Sequence, residues 1–504
     1  MSEMLNLLGM GLVNAFTLTN MLLIAAGVII GNIIGALPGL TPTMAVAVAL
    51  PITFVLSPVA SIAFLMGIAK GGTSGCGLTA VAIGVPGIPA ATCTVLDGFQ
   101  LMKQGKGHKA MQMVIYSSII ADVFGDLVMV ASCTPLAYIA VKFGPPELTA
   151  LLIFSLATVG SVTGDQPLKG LISAAAGLLI GTVGLDPVAG SPRLTFHFIS
   201  FMSGFSVIPV LIGMFAIPEI LDQVERMAKG IKESFLAVKS KNPEDNRVTL
   251  KDMRMCAGTI LRGSIIGSIV GAIPGIGSSV AAFITYSETV RASKHPERFG
   301  KGALEGVAAS ESGNSGVNGP ALIPLLTLGI PGETVSAVLL GAFTIHGLHP
   351  GPLLMKQHAV TIYTMFGALL IANVINLGVG LLMIKGIQYI LKLSMAIMFP
   401  VIAVLCVIGA YACDNSAFDI KLMAIFGVLG YIMKEYNFPR APMIIALLLG
   451  PMFETTLRQS LLMERGSLLV FLHSPIAIGF LALTVLLVIL NVKRLSKRIG
   501  IGEV

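Results

Sequence analysis

The sequence contains no tryptophan and few charged side chains. Asp, Glu, Lys and Arg make up 11% of its 504 residues, less than half of their usual share in soluble domains. Apolar residues reach 55%, and the mean hydropathy is +0.90. So little charge argues against an ordinary water-soluble fold and favours a lipid bilayer. Without tryptophan, and with only 8 tyrosines, the edges of membrane spans are poorly marked.

Several functional motifs are also missing. The six cysteines include no CxxC pair, so we expect small buried side chains rather than metal or redox groups. There is no P-loop, no GxSxG elbow and no HExxH motif, which argues against an ATPase or a hydrolase and predicts that the chain is not an enzyme. The N-terminus lacks the basic region of a cleaved signal peptide, so the first span is predicted to be retained.

Apolar stretches of spanning length recur from end to end. They predict an all-α polytopic membrane protein with roughly ten to twelve spans and shorter re-entrant pieces. Examples are residues 21–35, 148–162, 168–183, 360–383, 397–412 and 468–490.

Basic residues cluster in short loops beside these spans rather than on one aqueous domain, which argues against nucleic acid as a partner. The longest polar segment, residues 222–262, is predicted to be a cytoplasmic basic linker. It separates a first transmembrane repeat, residues 1–221, from a second, residues 263–492. Residues 493–504, which begin with KRLSKR, are predicted to be a cytoplasmic tail.

The two halves repeat each other. Residues 31–39 (GNIIGALPG) return as 267–275 (GSIVGAIPG), and residues 83–87 (IGVPG) return as 328–332 (LGIPG). Equivalent loops differ in charge: residues 103–109 are strongly basic, whereas their counterpart near residues 346–351 has no lysine or arginine. Such loops should lie on opposite sides of the membrane, so two inverted-topology repeats with broken helices are predicted.

The first repeated motif follows an apolar helix with Pro-Gly and then hydroxyl residues. Proline and glycine predict a helix break, which is tolerated at membrane depth only inside protein or beside a cavity. Hydroxyls and helix N-termini here would form a neutral cradle for an anion. A proline-kinked span without ligand is the alternative. The candidate substrate-binding residues are Gly39, Thr41, Thr43, Gly275, Ser278 and Ser279.

The second motif is rich in glycine and hydroxyls: residues 71–77 (GGTSGCG) and 310–316 (SESGNSG). So many glycines disfavour an ordinary helical span and favour close backbone approach to a ligand or to another helix. Helix packing alone is the alternative. The candidate substrate-binding residues are Thr73, Ser74, Gly75, Asn314, Ser315 and Gly316.

The third motif is Gly-(Val/Ile)-Pro-Gly between two apolar arms, each judged too short to span. It predicts re-entrant hairpins whose tips lie inside the protein; a surface loop is the alternative. The tips are Pro86, Gly87, Pro331 and Gly332.

Few ionisable side chains occur in apolar sequence, where they are costly. Asp122 and Asp126 lie one turn apart on one helix face, and Asn373 occupies the corresponding place in the second half. They are candidates for a sodium or proton site, or for a buried structural network. Glu333 is a candidate coupling carboxylate or a helix cap. Lys70 could attract an anion or extend to the interface.

Together these blocks resemble the large membrane subunit (TctA type) of the tripartite tricarboxylate transporter family. The resemblance rests on the twin Gly-Ala-(Leu/Ile)-Pro-Gly segments, on residues 309–316 (ASESGNSG) and on the Gly-(Val/Ile)-Pro-Gly tips. It implies binding-protein-dependent secondary uptake, by symport, of a citrate-like di- or tricarboxylate across the bacterial inner membrane. It also implies a small four-span membrane subunit, a periplasmic solute-binding protein, and Na⁺ or H⁺ as coupling ion with no other cofactor.

Two other function classes stay open at this point. A passive organic-anion channel would show neither counterflow nor dependence on an ion gradient. An intramembrane hydrolase would have to use Ser310, Ser312 or Ser315 with Glu311 nearby. The sequence does not determine the substrate, the coupling ion or whether the chain forms a homo-oligomer.

Overall fold

The computed structural model describes residues 2–162, 167–186, 190–229, 243–391 and 395–499. It is about 80% helical with almost no strand, which confirms the predicted all-α polytopic membrane protein. Two residue pairs, β1 (Gly184–Leu185) and β2 (Pro192–Arg193), form a short antiparallel ribbon. The six cysteines are free, and all but the half-buried Cys413 are fully buried.

The described residues before 230 contain nine α-helices. They are α1 (Ser2–Ala15), α2 (Leu18–Gly35), α3 (Pro42–Ala49), α4 (Pro58–Ile83), α5 (Ala91–Lys103), α6 (Gly107–Ala140), α7 (Pro145–Val162), α8 (Pro167–Gly181) and α9 (Val207–Ala228).

The described residues from 243 onward contain eleven more. They are α10 (Leu250–Gly271), α11 (Gly277–Ala292), α12 (Leu304–Ser315), α13 (Leu322–Leu328), α14 (Thr334–Ile345), α15 (Leu354–Gln357), α16 (Ala359–Ile390), α17 (Met395–Asp414), α18 (Ala417–Glu435), α19 (Arg440–Met463) and α20 (Pro475–Ile499).

Within the described part of the chain, seven helices are long and apolar enough to cross a membrane, and five shorter apolar helices accompany them. The seven are fewer than the ten to twelve spans predicted, because predicted spans such as residues 148–162 and 168–183 belong to the shorter group. Large apolar side chains remain exposed on outer helices, for example Val374 and Ile397 at about 70%. Such side chains would face lipid.

Both predicted helix breaks at the Pro-Gly motifs are confirmed. In the first half α2 ends at Gly35 and α3 begins at Pro42. In the second half α10 ends at Gly271 and α11 begins at Gly277. The motif glycines adopt the left-handed conformation, with φ of +79° at Gly39 and +84° at Gly275, which a residue with a Cβ would adopt only with strain.

The glycine run at residues 71–77 lies inside an unbroken helix, where close backbone approach to another helix was one of the predictions. Helix α4 is continuous for 26 residues, because glycines on α2 and α4 face each other and bring the two backbones together. A Cβ on Gly31 would lie 2.2 Å from the Ile68 carbonyl oxygen, and one on Gly71 would lie 2.3 Å from the Val28 carbonyl oxygen. The close approach to another helix is therefore confirmed.

The second half repeats this contact. Helix α10 packs along α12, and Gly267 of α10 lies against the backbone of Gly313 and Gly316. Helices α4 and α13 both end on a left-handed glycine, Gly84 with φ of +72° and Gly329 with φ of +74°. The two halves therefore share helix order and local geometry; their opposite orientation in the membrane stays a prediction.

The halves differ after the second motif. Helix α12 ends at Ser315 and a turn occupies residues 316–321 before α13, whereas α4 continues unbroken to Ile83. The expectation that each arm of the hairpins is too short to span is therefore wrong for α4. The expectation holds for the other three arms, α5, α13 and α14, which have 13, 7 and 12 residues.

Both ends of the predicted linker, and the beginning of the predicted tail, are helical. Helix α9 extends to Ala228, and α10 begins at Leu250, with Thr249 and Asp252 forming a capping box that satisfies two amides. Helix α20 extends to Ile499. Residues 230–242 of the linker and 500–504 of the tail lie outside the described residues.

We predict that Gly31→Val lowers the thermal stability of the purified protein. The added side chain meets the backbone of α4, which cannot move aside without separating the two helices, and overpacking of this kind costs about 1 to 3 kcal/mol or more. Gly378→Val is the matched control, because a Cβ at that helical glycine meets nothing within 4 Å. Equal melting temperatures for the two variants in detergent would contradict the proposed packing.

Candidate functional site

A cavity of about 820 Å³ lies where the two halves meet, and both helix breaks open onto it. The first break contributes Pro42 and Thr43, and the second contributes Gly275 to Ser279. The cavity is large enough for a small organic ligand. Among the predicted site residues, those that line it are Thr43, Thr73, Gly275, Ser278, Ser279 and Glu333.

The N-termini of three helices converge on this cavity. Residues in the first turn of each line its wall: Thr43 of α3, Ser278 of α11 and Val335 of α14. A helix N-terminus carries unpaired N–H groups and about half a positive charge. Three such ends around one space create a region that favours negative charge without a surplus of cationic side chains.

Two capping residues organise these helix starts. The Thr41 hydroxyl accepts a hydrogen bond from the Met44 amide at 3.1 Å, so it caps α3 rather than facing a ligand. Glu333 occupies the cap position of α14, and its amide donates to Ser336 Oγ at 2.8 Å. Glu333 also lines the cavity, so its placement suits both roles considered for it.

Lys70 and Glu333 are the charged side chains among the described residues that line the cavity. Lys70 is 1% exposed and does not extend to an interface. Its ammonium donates to Asp122 Oδ1 and Asp126 Oδ2, both at 2.8 Å, and to Asn373 Oδ1 at 3.1 Å. The ammonium thus lies between the two carboxylates, at the place where the sequence predicted a possible sodium site.

The polar network around Lys70 extends across four helices. Asn373 donates to Asp126 Oδ2 at 2.7 Å, which fixes the carboxylate that Lys70 contacts. One turn later on α16, Asn376 donates to Ser74 Oγ at 2.9 Å and accepts from Asn32 at 2.8 Å. These bonds tie α16 to α2, α4 and α6. They also satisfy buried polar groups, which would be costly without hydrogen-bond partners.

This network retains one surplus negative charge when both carboxylates are ionised, since Lys70 is its one cation. Asp126 Oδ1 is buried without a hydrogen-bond partner among the described residues. This oxygen lies beside the turn at residues 316–321, since a Cβ built on Gly319 of that turn would be 2.6 Å from the oxygen. Asn318 of the same turn lines the cavity, so the acid pair and the cavity share one wall.

The second motif places two polar side chains deep in α12. Asn314 is 1% exposed, and neither its Oδ1 nor its Nδ2 has a partner among the described residues. Glu311, one turn earlier, is 0% exposed, and its two oxygens lie 2.6 Å from Thr94 Oγ1 and 3.0 Å from Ser118 Oγ. Unpaired or weakly paired polar groups in this position are costly, which is unusual for a purely structural helix.

The hairpin tip of the second half contacts the second break directly. The Gly275 amide donates to the Gly332 carbonyl at 2.8 Å, so these two motifs meet beside the cavity. In the first half a Cβ on Gly87 would lie 2.6 Å from Cys76 Sγ, which places that tip against α4. Neighbouring Ile88 and Pro89 line the cavity.

The remaining predicted residues are not among the described residues that line the cavity. They are Gly39, Thr41, Ser74, Gly75, Asn314, Ser315, Gly316, Pro86, Gly87, Pro331, Gly332, Asp122, Asp126 and Asn373. Prediction from sequence missed Asn318, although the Gly319-Pro320 pair that follows is a turn signal. It also missed Val159, Ala441 and Ile445 of α7 and α19, whose apolar sequence carries no such signal.

The sequence model of the Tripartite tricarboxylate transporter TctA family matches residues 21–445, a range that includes every residue lining the cavity. The chain belongs to this family. TctA-family proteins are transporter components, and this one is a multi-pass membrane protein.

Two Agrobacterium vitis proteins are similar to this TctA-family chain. One, described as "Uncharacterized 52.8 kDa protein in TAR-I ttuC' 3'region", is 34% identical over 482 residues, which cover 96% of this chain and 95% of the relative. The other, "Uncharacterized protein in TAR-II ttuC' 3'region", is 36% identical over 224 residues, 44% of this chain and 93% of the relative. No solved structure matches the chain.

We predict that Lys70→Met strongly destabilises this TctA-family protein. The change leaves Asp122 and Asp126 buried without their cation, a loss worth about 3 to 5 kcal/mol. The triple variant that adds Asp122→Asn and Asp126→Asn removes the uncompensated charge and should recover much of the stability. Melting temperature in detergent measures both effects.

Lys356→Met, on the exposed side of α15, is the control for this series and should melt like the parent protein. If Lys70→Met also melts like the parent, the ammonium is not what holds the acid pair together. A triple variant no more stable than the single one would lead to the same conclusion.

Proposed function

We propose that this protein is the large membrane subunit of a cation-coupled secondary transporter that takes up a citrate-like di- or tricarboxylate across the bacterial inner membrane. In this proposal a periplasmic binding protein delivers the substrate and a small four-span subunit completes the membrane complex, as the tripartite family name implies. The chain itself catalyses no reaction.

The observation that carries this proposal is the convergence of three helix N-termini and one ammonium on a single cavity between the repeats. Substrate carboxylates would receive hydrogen bonds from the hydroxyls of Ser278, Ser279 and Thr43 and from first-turn amides. Most of this positive potential is partial charge on backbone groups. A site of that kind can release its anion as well as bind it, as transport requires.

Lys70 would provide the full positive charge nearest to the substrate. Its ammonium is already shared between Asp122 and Asp126, so a substrate carboxylate would compete with them for it. A lysine freed from the acid pair would leave two adjacent carboxylates that favour taking up a proton or a cation. In this proposal Asp122, Asp126, Asn373 and Glu333 therefore couple substrate binding to cation binding.

Matched breaks in both repeats support alternating access at this site. The walls of the cavity come from both halves, and the interrupted helices provide short segments that can tilt without unfolding a whole span. The outer helices, with their exposed apolar side chains, would form the scaffold against which these segments move.

We predict that the double variant Ser278→Ala, Ser279→Ala raises the KM for carboxylate uptake by about tenfold or more, because hydrogen bonds to a charged group contribute about 1.5 to 3 kcal/mol. Uptake is measured in proteoliposomes that contain both membrane subunits, with the cognate binding protein supplied outside. Thr455→Ala is the matched control: its hydroxyl bonds only the preceding turn of α19 among the described residues. An unchanged KM would remove both serines from the site.

A carrier and a channel are distinguished by counterflow in the same vesicles. We predict that unlabelled carboxylate loaded inside accelerates entry of labelled carboxylate, because a carrier returns faster with its site filled. Uptake should also rise with an imposed Na⁺ or H⁺ gradient. Flux that responds to neither condition would support the passive channel instead.

A further inference from the structure

Glu311 is a buried carboxyl group that forms no ion pair among the described residues. Some other buried acids have cations: Asp126 pairs with Lys70 at 2.8 Å, and Glu219 pairs with Lys434 at 2.8 Å. Glu311 is 0% exposed, and an isolated carboxylate at such a position costs several kcal/mol. A buried acid without a cation usually becomes neutral instead.

The three contacts on one side of Glu311 can all be hydrogen bonds at the same time only if Glu311 supplies a proton. Three oxygen pairs form a chain: Glu311 Oε1 to Thr94 Oγ1 at 2.6 Å, Thr94 Oγ1 to Ser310 Oγ at 2.9 Å, and Ser310 Oγ to the Val307 carbonyl at 3.1 Å. Each hydroxyl has a single proton, so Thr94 and Ser310 can supply only two of the three bonds. A proton on Glu311 completes the chain, and Ser118 donates to the second oxygen at 3.0 Å.

The surroundings of Glu311 suit a proton rather than a metal ion. The oxygens of Thr94 and Glu311 are 2.6 Å apart, whereas a metal ion directly between them, at about 2.0 to 2.6 Å from each, would hold them about 4 to 5 Å apart. The backbone of α4 covers the carboxyl group, because a Cβ on Gly77 would be 2.7 Å from Oε1. No group of three acidic, histidine or cysteine side chains suited to a metal occurs among the described residues.

Other titratable groups near Glu311 leave its charge uncompensated. Cys76 of α4 and Cys93 of α5 interact electrostatically with Glu311, and the charged groups of the packed helices include Lys70 of α4, Asp97 of α5 and Asp122 of α6. Asp97 is satisfied by Tyr286 at 2.8 Å and by the amides of Gly302 and Ala303, and Asp122 by Lys70. In the described part of α10, no charged side chain forms an ion pair with Glu311.

Both helices that hold this group end at the cavity. Helix α5, which carries Thr94, begins shortly after Pro89, a residue that lines the cavity. Helix α12, which carries Glu311, leads into the turn that contains Asn318, which also lines the cavity. An ionised Glu311 would be costly while α5 and α12 stay in contact. Separation of these helices would therefore accompany proton release and would move two walls of the cavity.

We propose that Glu311 is a neutral carboxylic acid in this conformation and that its proton travels with the substrate, in addition to the cation that the Asp122–Asp126 pair would take up. The second statement rests on the proposed transport function; the first does not. The proton binds Glu311 on the side from which substrate enters and leaves on the other side when α5 and α12 separate, so one exchangeable site serves both steps.

Infrared difference spectroscopy of the full chain in lipid tests the first statement. We expect a carbonyl band of a protonated carboxyl group at neutral pH that disappears in Glu311→Gln and persists in Glu288→Gln. Glu288 is the matched control, because it lies in an exposed pair with Arg291. If no band depends on Glu311 at any pH, the inference is overturned.

Uptake in proteoliposomes with both membrane subunits and the binding protein tests the second statement. Glutamine keeps the hydrogen-bond chain by donating to Thr94, so Glu311→Gln should retain counterflow and lose all stimulation by a pH gradient. Retained stimulation, or a wild-type protein driven by sodium alone, would refute the coupling role. If the infrared band is present but no carboxylate is carried, the proposed function fails while the protonated Glu311 stands.

Should Glu311→Gln fail to accumulate in the membrane, Thr94→Val serves the same comparison. It removes the hydroxyl that contacts Glu311 while keeping the shape of the side chain. We expect the infrared band to shift and the pH dependence of uptake to move with it. No shift in either measurement would contradict the inference.

Discussion

Backbone hydrogen bonding in hydrocarbon is the constraint on which the rest of this structure depends. Inside a bilayer no water is available for an unpaired amide or carbonyl, so an interrupted helix must be enclosed by protein or line a cavity. The breaks after Gly35 and Gly271 meet this requirement. Close glycine contacts between α2 and α4, and between α10 and α12, bring the surrounding helices near enough to enclose them.

The same enclosure determines how each buried charge is accommodated. Lys70 lies between two aspartates. Asp97 accepts hydrogen bonds from amides at the start of α12, and Glu311 is hydrogen-bonded to hydroxyl groups alone. These three arrangements differ in net charge. Only the first brings a full positive charge to the wall of the cavity, which is why the anion site and the acid pair are linked through one side chain.

The repeats are similar in backbone and different in chemistry. Both have a glycine-faced helix pair, a Pro-Gly break and a left-handed glycine at a hairpin tip. The first half adds Lys70, Asp122 and Asp126, whereas the second adds Glu311 and the turn with Asn318. A duplicated scaffold therefore provides the symmetry that alternating access needs, and the substitutions between copies provide the groups that bind substrate and cation in the proposed function.

The sequence by itself determined the membrane class, the helix breaks and the family resemblance, because these follow from local composition, Pro-Gly chemistry and repeated motifs. For the glycine run of α4 it predicted close backbone approach but left open whether the partner is a ligand or a helix, since sequence shows glycine's cost to a helix but not the partner helix that offsets it. Only the tertiary structure decided that Lys70 fills the space between Asp122 and Asp126, that Glu311 meets Thr94, and which motif residues line the cavity. Those contacts join residues 52 to 303 positions apart, and distances of that kind are set by packing between helices.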